Sequence, residues 1–340
     1  MHTQEMEATV KAIIASGKGI LAADESSGTI KKRFDSIGVE STADTRRDYR
    51  EMLFRAPGYE EGISGVILFD ETLRQNAADG TPLVKLLQER GVVPGIKVDK
   101  GLVALAPGSE EKVTQGLDGL GDRLAEYRDL GARFAKWRAV YTITDSLPSE
   151  PVLRQNAEGL ARYAALCQHN GIVPIVEPEV LMDGSHDIER CAVVTEQALQ
   201  AVFEALFRHG VVLEHALLKP NMVLSGKDCP QQAGPQAVAE ATVRTFRRTV
   251  PAAVPGILFL SGGQSDEQAT ANLNAINALS DRHPWVFSFS YGRALQAPAL
   301  KAWGGKPDHV PAAQQAFVKR ARLNGAACLG RYQPGMEQAA

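Results

Sequence analysis

Eight short apolar segments, nearly all ending on polar residues, alternate with stretches of helical periodicity from near residue 19 almost to the end of this 340-residue chain. They are GILAAD (19–24), SGVILFD (64–70), VVPGIKVD (92–99), ARFAKWR (132–138), GIVPIVEPE (171–179), ALLKPN (216–221), GILFLSGG (256–263) and WVFSFSYGR (285–293). Near-continuous apolar runs of this length suit strands of a parallel sheet, whose two faces are both covered. Between them Leu153, Ala157, Leu160, Ala164 and Cys167 recur at spacings of four and three, as do Ile188, Cys191, Thr195, Ala198 and Val202. That is the stripe of an amphipathic helix. Length alone allows one or two domains. Eight β-α units without a change of composition predict one closed (β/α)8 barrel over residues 1–340, with a short tail from about 331. An open doubly wound sheet would carry fewer strands and a G-x-G-x-x-G turn after the first, and none follows it here.

Composition narrows the function. With 44% hydrophobic and 23% charged residues the chain can fill a sizeable core. A formal charge of -3 gives no broad basic field, so neither nucleic acid nor an anionic membrane is expected as a partner. A local basic pocket for a phosphorylated metabolite remains open. Cys167, Cys191, Cys229 and Cys328 form no C-x-x-C pair, which argues against a disulfide framework or a thiolate zinc site and suits a reducing cytoplasm. The first 20 residues lack a leader pattern, and no uncharged apolar run approaches the roughly 20 residues of a membrane span. A soluble, cytoplasmic protein is expected. His169, His186, His209, His215, His283 and His309 show no ligand-like spacing, so no metal and no cofactor is expected.

The charges at the strand ends carry the functional reading. Lys97 with Asp99, Lys136 with Arg138, and Glu177 with Glu179 are pairs two residues apart, and side chains so spaced in a strand project to one face. A lone charge is costly in either face of a barrel wall, so three consecutive charged strands must compensate one another or line a wet site. Lys97, Lys136, Arg138 and Lys219 balance Asp24, Asp99, Glu177 and Glu179. Any single pair reads equally as a solvated strand end. Together, at the C-terminal mouth of a barrel, they mark where catalysis is found. Lys219 closes the apolar run ALL before Pro220; a lysine becomes a nucleophile where burial or a nearby cation favours its free amine, and Lys136 would supply that cation. SGG (261–263) and SYGR (290–293) end the last two strands, where barrels place a phosphate on backbone N–H groups. Arg293 adds a forked donor. The basic run Lys31, Lys32, Arg33 after the first strand is either a solvated face or a second phosphate contact.

With LAADES, GIKVDKG, TQGLDGL, FAKWR, ARYA, NGIVPIVEPE, LLKPNM, FLSGGQS and FSYGRALQ in this order, the chain resembles the class I fructose-1,6-bisphosphate aldolases from about residue 10 to about residue 332. The resemblance implies a (β/α)8 barrel, a homotetramer, and a place in glycolysis and gluconeogenesis acting on sugar phosphates. It makes Lys219 the imine-forming lysine, Glu177 the acid/base of imine formation and hydrolysis, Glu179 its companion, and Asp24 a participant in the proton transfer of C–C cleavage. Lys136 is the lysine beside the nucleophile, with Arg138 close by. Ser261, Gly262, Gly263, Ser290, Gly292 and Arg293 correspond to the family's phosphate-binding turns. Arg33 is the arginine after the first strand, and Arg46 that of an N-R-R segment read here as T-R-R. Lys97 is a further contact. Animal members end in a tyrosine on a mobile tail; this chain reads RYQPGMEQAA, and Tyr332 is not given that role.

The implied chemistry needs an electron sink for the C3 carbanion, and an iminium at C2 serves better than a ketone. Asp24 is the first candidate to accept the C4 hydroxyl proton, with Glu177 as competitor. Arg293 and the SGG turn are expected to hold the C1 phosphate, and Arg33 with Lys97 the C6 phosphate on the opposite side of Lys219. The rival readings are a metal-dependent aldolase, which the scattered histidines disfavour, a transaldolase-like Schiff-base barrel of other substrate, and a retired barrel used as a scaffold. Against the last, an inactive site has no chemical need of Asp24, Lys136, Glu177 and Lys219.

Overall fold

A computed structural model describes residues 2–279 and 283–338. Its strands are β1 (Gly19–Ala23), β2 (Ile63–Leu68), β3 (Val93–Lys97), β4 (Leu102–Ala104), β5 (Lys112–Thr114), β6 (Phe134–Tyr141), β7 (Val173–Val180), β8 (Leu217–Leu218), β9 (Gly256–Phe259) and β10 (Val286–Tyr291). Eight of them close into a parallel barrel in the order β1-β2-β3-β6-β7-β8-β9-β10, with β10 returning to β1 through the pairs Ile20↔Ser290 and Leu21↔Tyr291. Each falls within or beside one of the eight expected segments. β4 and β5 form a separate antiparallel hairpin that the sequence reading did not foresee. Leu102, Val103 and Ala104 are apolar yet exposed, and no helical stretch separates the run from β5, so it does not stand out as a barrel segment.

Two apolar layers hold the barrel. Inside, Ile20, Ile67, Phe134, Val173, Ile175, Leu217 and Leu258 pack with Met6, Val10 and Ile13 of the helix Thr3–Ile13, so that helix closes one end. Gly95 is required here, because a Cβ on it would stand 2.3 Å from the Phe134 ring. Outside, strands pack on helices: Trp137 stacks on Tyr163 at 5.6 Å between ring centres, and Phe259 on Phe246 at 5.8 Å. The helix Glu150–His169 buries Ala157, Leu160, Ala164 and Cys167 of the expected stripe, with Leu153 half-buried.

Asp24, Asp99, Lys219 and Ser261 follow the ends of their strands, while Arg138 and Glu179 stay within β6 and β7, and that positions the site. β8 is two residues long because Pro220 has no N–H to give. Lys219 itself is still anchored, its backbone N–H donating to the Val176 carbonyl at 2.8 Å.

Candidate active site

A cavity of about 1130 Å³ opens at the C-terminal ends of the barrel strands. Asp24, Arg33, Lys97, Lys136, Arg138, Glu177, Glu179, Lys219, Ser261, Gly262, Ser290, Gly292 and Arg293 all line it, so thirteen of the fifteen expected site residues share one space. Every barrel strand except β2 carries one of them within it or in the turn that follows. Alternation explains the pairs: Lys136 and Arg138 on β6, and Glu177 and Glu179 on β7, project to the same side.

At the base of the cavity, Lys136, Glu177 and Lys219 are all less than 5% exposed. Glu177 Oε1 is 3.1 Å from Lys219 Nζ and its Oε2 is 3.3 Å from Lys136 Nζ. Lys136 Nζ also contacts Asp24 Oδ2 at 2.7 Å. The result is a linear alternation of sign, Lys219, Glu177, Lys136, Asp24, which lets four charges stay at depth. Burial pulls the Asp24 carboxyl upward, but the ammonium groups of Lys136, Lys219 and Lys97 outweigh it and hold Asp24 below the usual carboxylate range. For Lys136 burial pulls downward, and Asp24, Glu177 and Asp99 reverse it, so its ammonium is held above the ordinary lysine value. Arg138 is paired with Glu179, and Lys97 with Asp99, whose second oxygen accepts from the Arg138 N–H at 3.4 Å.

Small residues and one arginine form part of the rim. Gly262 has no room for a side chain, since a Cβ would lie 2.8 Å from Glu179 Oε1. Ser290 Oγ is buried and has no hydrogen-bond partner among the described residues. Arg293 is exposed at the start of the helix Arg293–Trp303.

Three expectations are modified. Gly263 is behind the wall, at φ +79° with a Cβ position 2.6 Å from that of Met182, so its part is to turn the chain. Arg46 does not line the cavity: Nε and Nη2 bind the Glu71 carboxylate at 2.7 and 2.5 Å, and Nη1 binds the Ser41 carbonyl. Arg33, expected across Lys219 from the SYGR turn, adjoins it instead. Its Nη2 is 3.8 Å from where a Cβ on Gly292 would stand. Barrel closure brings the ends of β1 and β10 together although 270 residues separate Ile20 from its partner Ser290.

Sequence reasoning missed Glu25. This carboxylate, 8% exposed, pairs with Arg33 and with Arg50, the latter at 2.6 Å, and accepts from Gln296 Nε2 at 2.8 Å. The available signal was its place directly after Asp24, at a polar strand end. Ser26, Thr29, Lys100 and Arg123 also line the cavity, and nothing in the sequence alone distinguished them from surface residues.

Among known proteins, the family model described as fructose-bisphosphate aldolase class-I matches residues 5–340. The cytosolic fructose-bisphosphate aldolase 4 of Arabidopsis thaliana is 58% identical over 332 residues, covering 98% of this chain and 84% of that protein. Fructose-bisphosphate aldolase 1 of Toxoplasma gondii is 57% identical over 334 residues, covering 98% and 92%. The fructose-bisphosphate aldolase of Plasmodium falciparum, solved in a ternary complex with TRAP and a small-molecule inhibitor, superposes with a TM-score of 0.96 at 53% identity, covering 98% of this chain and 96% of that one. The chain therefore belongs to the class I fructose-bisphosphate aldolases, the lyases that reversibly cleave fructose 1,6-bisphosphate to dihydroxyacetone phosphate and glyceraldehyde 3-phosphate.

Proposed function

We propose that the chain performs this cleavage through a Schiff base on Lys219. One observation carries the proposal: Lys219 Nζ is buried within 3.1 Å of a carboxylate that a second lysine also holds. Lys219 attacks the C2 carbonyl as a free amine. Glu177, on the carbinolamine side, supplies the proton with which the C2 hydroxyl leaves as water. The iminium then takes the electron pair as C3–C4 breaks, leaving an enamine on Lys219 and the aldehyde free. Asp24 accepts the C4 hydroxyl proton. Held ionised by Lys136, it is always available as an acceptor and retains the proton weakly, which suits a relay. Glu177 is the second candidate for that step, because its carboxylate is buried at the base of the same cavity, next to Lys219.

Ser261, Gly262, Ser290, Gly292 and Arg293 hold the C1 phosphate, and Lys97 with Arg138 borders the other end of the open-chain sugar. Glu179 acts by fixing Arg138. Gly263 shapes the turn, and Arg46 acts at most through Glu71. The iminium replaces a metal as electron sink, so the reaction needs no cofactor. We further infer one barrel domain acting in the cytosol, the compartment named for the Arabidopsis relative, as a homotetramer, in gluconeogenesis as well as glycolysis. Borohydride reduction with dihydroxyacetone phosphate, followed by peptide mapping, tests the centre of the proposal: the label belongs on Lys219, and a label on another lysine overturns it.

A further inference from the structure

Arg320 lies on the helix Val310–Cys328 and is only 3% exposed, outside the cavity. Its guanidinium binds three residues. Nη1 donates to both oxygens of Glu337, at 2.6 and 2.8 Å. Nη2 donates to the Asp266 carbonyl at 3.0 Å and to Thr270 Oγ1. Asp266 opens the helix Asp266–Ala278, which the chain enters directly from Ser261-Gly262-Gly263-Gln264-Ser265. The turn and the helix are further tied, because Gln264 is buried, its N–H binds the Ser261 carbonyl at 3.2 Å, and its side-chain carbonyl accepts from Asn272 at 2.7 Å.

The terminal segment thus grips that one helix twice. Tyr332 N–H donates to Asn274 Oδ1 at 2.8 Å, and Glu337 reaches its first turn through Arg320. Tyr332 OH donates to Glu337 Oε1 at 3.1 Å, and Lys319 Nζ donates to the Glu337 backbone carbonyl, so both its carboxylate and its backbone are held. A buried guanidinium left without its anion is strongly disfavoured, so without Glu337 the Arg320 side chain would turn toward water and release the Asp266 carbonyl.

We propose that residues 332–337 form a strap that fixes the SGG turn, with Glu337 as a positioning residue for the C1 phosphate. The proposal rests on the reading of that turn as a phosphate site. It is tested in the full chain by Glu337→Gln, with Glu337→Asp as the conservative variant, using fructose 1-phosphate, whose one phosphate is on C1. Glu337→Gln should raise KM roughly three- to tenfold, with kcat changed by less than about twofold, and should speed amide hydrogen exchange over residues 264–272. Glu337→Asp should recover most of both. Unchanged exchange in Glu337→Gln overturns the strap. Faster exchange with unchanged KM, while Ser261→Ala raises KM, overturns its coupling to phosphate. If Ser261→Ala itself leaves KM unchanged, the phosphate reading of the turn has failed, and exchange alone then decides for or against the strap.

Discussion

Glu177 holds Lys219 with one carboxylate oxygen and faces Lys136 with the other, at 3.1 and 3.3 Å. One buried carboxylate thus touches both the proposed nucleophile and the ammonium beside it. Replacing it by glutamine keeps the shape and removes the transferable proton. Glu177→Gln should slow imine formation roughly 10²- to 10⁴-fold, the usual contribution of a placed acid, while substrate binding changes little. Rapid quench with borohydride measures the imine directly. A normal rate of trapping would remove Glu177 from that step.

Lys136 should matter to stability in a way that depends on pH. The folded state holds Asp24 below its ordinary value, so this carboxylate adds stability that is complete above the ordinary carboxylate range and lost as pH falls toward the lower folded value. Lys136 is held above the ordinary lysine value, so its contribution is complete at neutral pH and is lost only in strong alkali. Lys136→Met leaves two buried carboxylates without their shared cation, at a cost of about 3–5 kcal/mol at pH 7. Asp24 can then take up a proton in mild acid, which relieves part of that cost. Urea denaturation of both proteins should therefore show a smaller difference near pH 4 than at pH 7; a difference that grows on acidification contradicts the ion-pair account.

A reaction whose electron sink is an iminium does not depend on metal. Exhaustive EDTA treatment should leave fructose 1,6-bisphosphate cleavage unchanged. Activity lost to EDTA and restored by zinc would displace Lys219 as the sink.

The barrel was legible because its strands are buried on both faces and end on charges, a local pattern that survives in one dimension. The pairs Lys136/Arg138 and Glu177/Glu179 could be assigned to one side from strand alternation alone. The hairpin β4–β5 was not, since its apolar residues Leu102, Val103 and Ala104 are exposed and their hydrophobicity does not report their burial. Arg46 and Arg33 show a different limit. Whether an arginine faces substrate or a neighbouring carboxylate depends on Glu71 and Glu25, 25 and 8 residues away, and on how the barrel closes. Periodicity contains none of that.

The adjacency of Arg33 and Gly292 makes a prediction about substrates. Fructose 1-phosphate lacks the C6 phosphate, so the ratio of kcat/KM for the bisphosphate to that for the monophosphate reports which end of the sugar a side chain serves. Arg33 borders the turn that carries Arg293, because β1 and β10 are neighbours. Arg33→Ala and Arg293→Ala should then each lower kcat/KM for fructose 1,6-bisphosphate by about ten- to a hundredfold, the worth of one charge-assisted phosphate contact. Both should leave the ratio between the two substrates nearly alike. Lys97→Ala, on the far side at the end of β3, should lower that ratio instead, by damaging the bisphosphate more than the monophosphate. If Arg33→Ala shares the pattern of Lys97→Ala and not that of Arg293→Ala, the Arg33 side chain crosses to the C6 phosphate on binding, and its closeness to Gly292 describes only the enzyme without substrate.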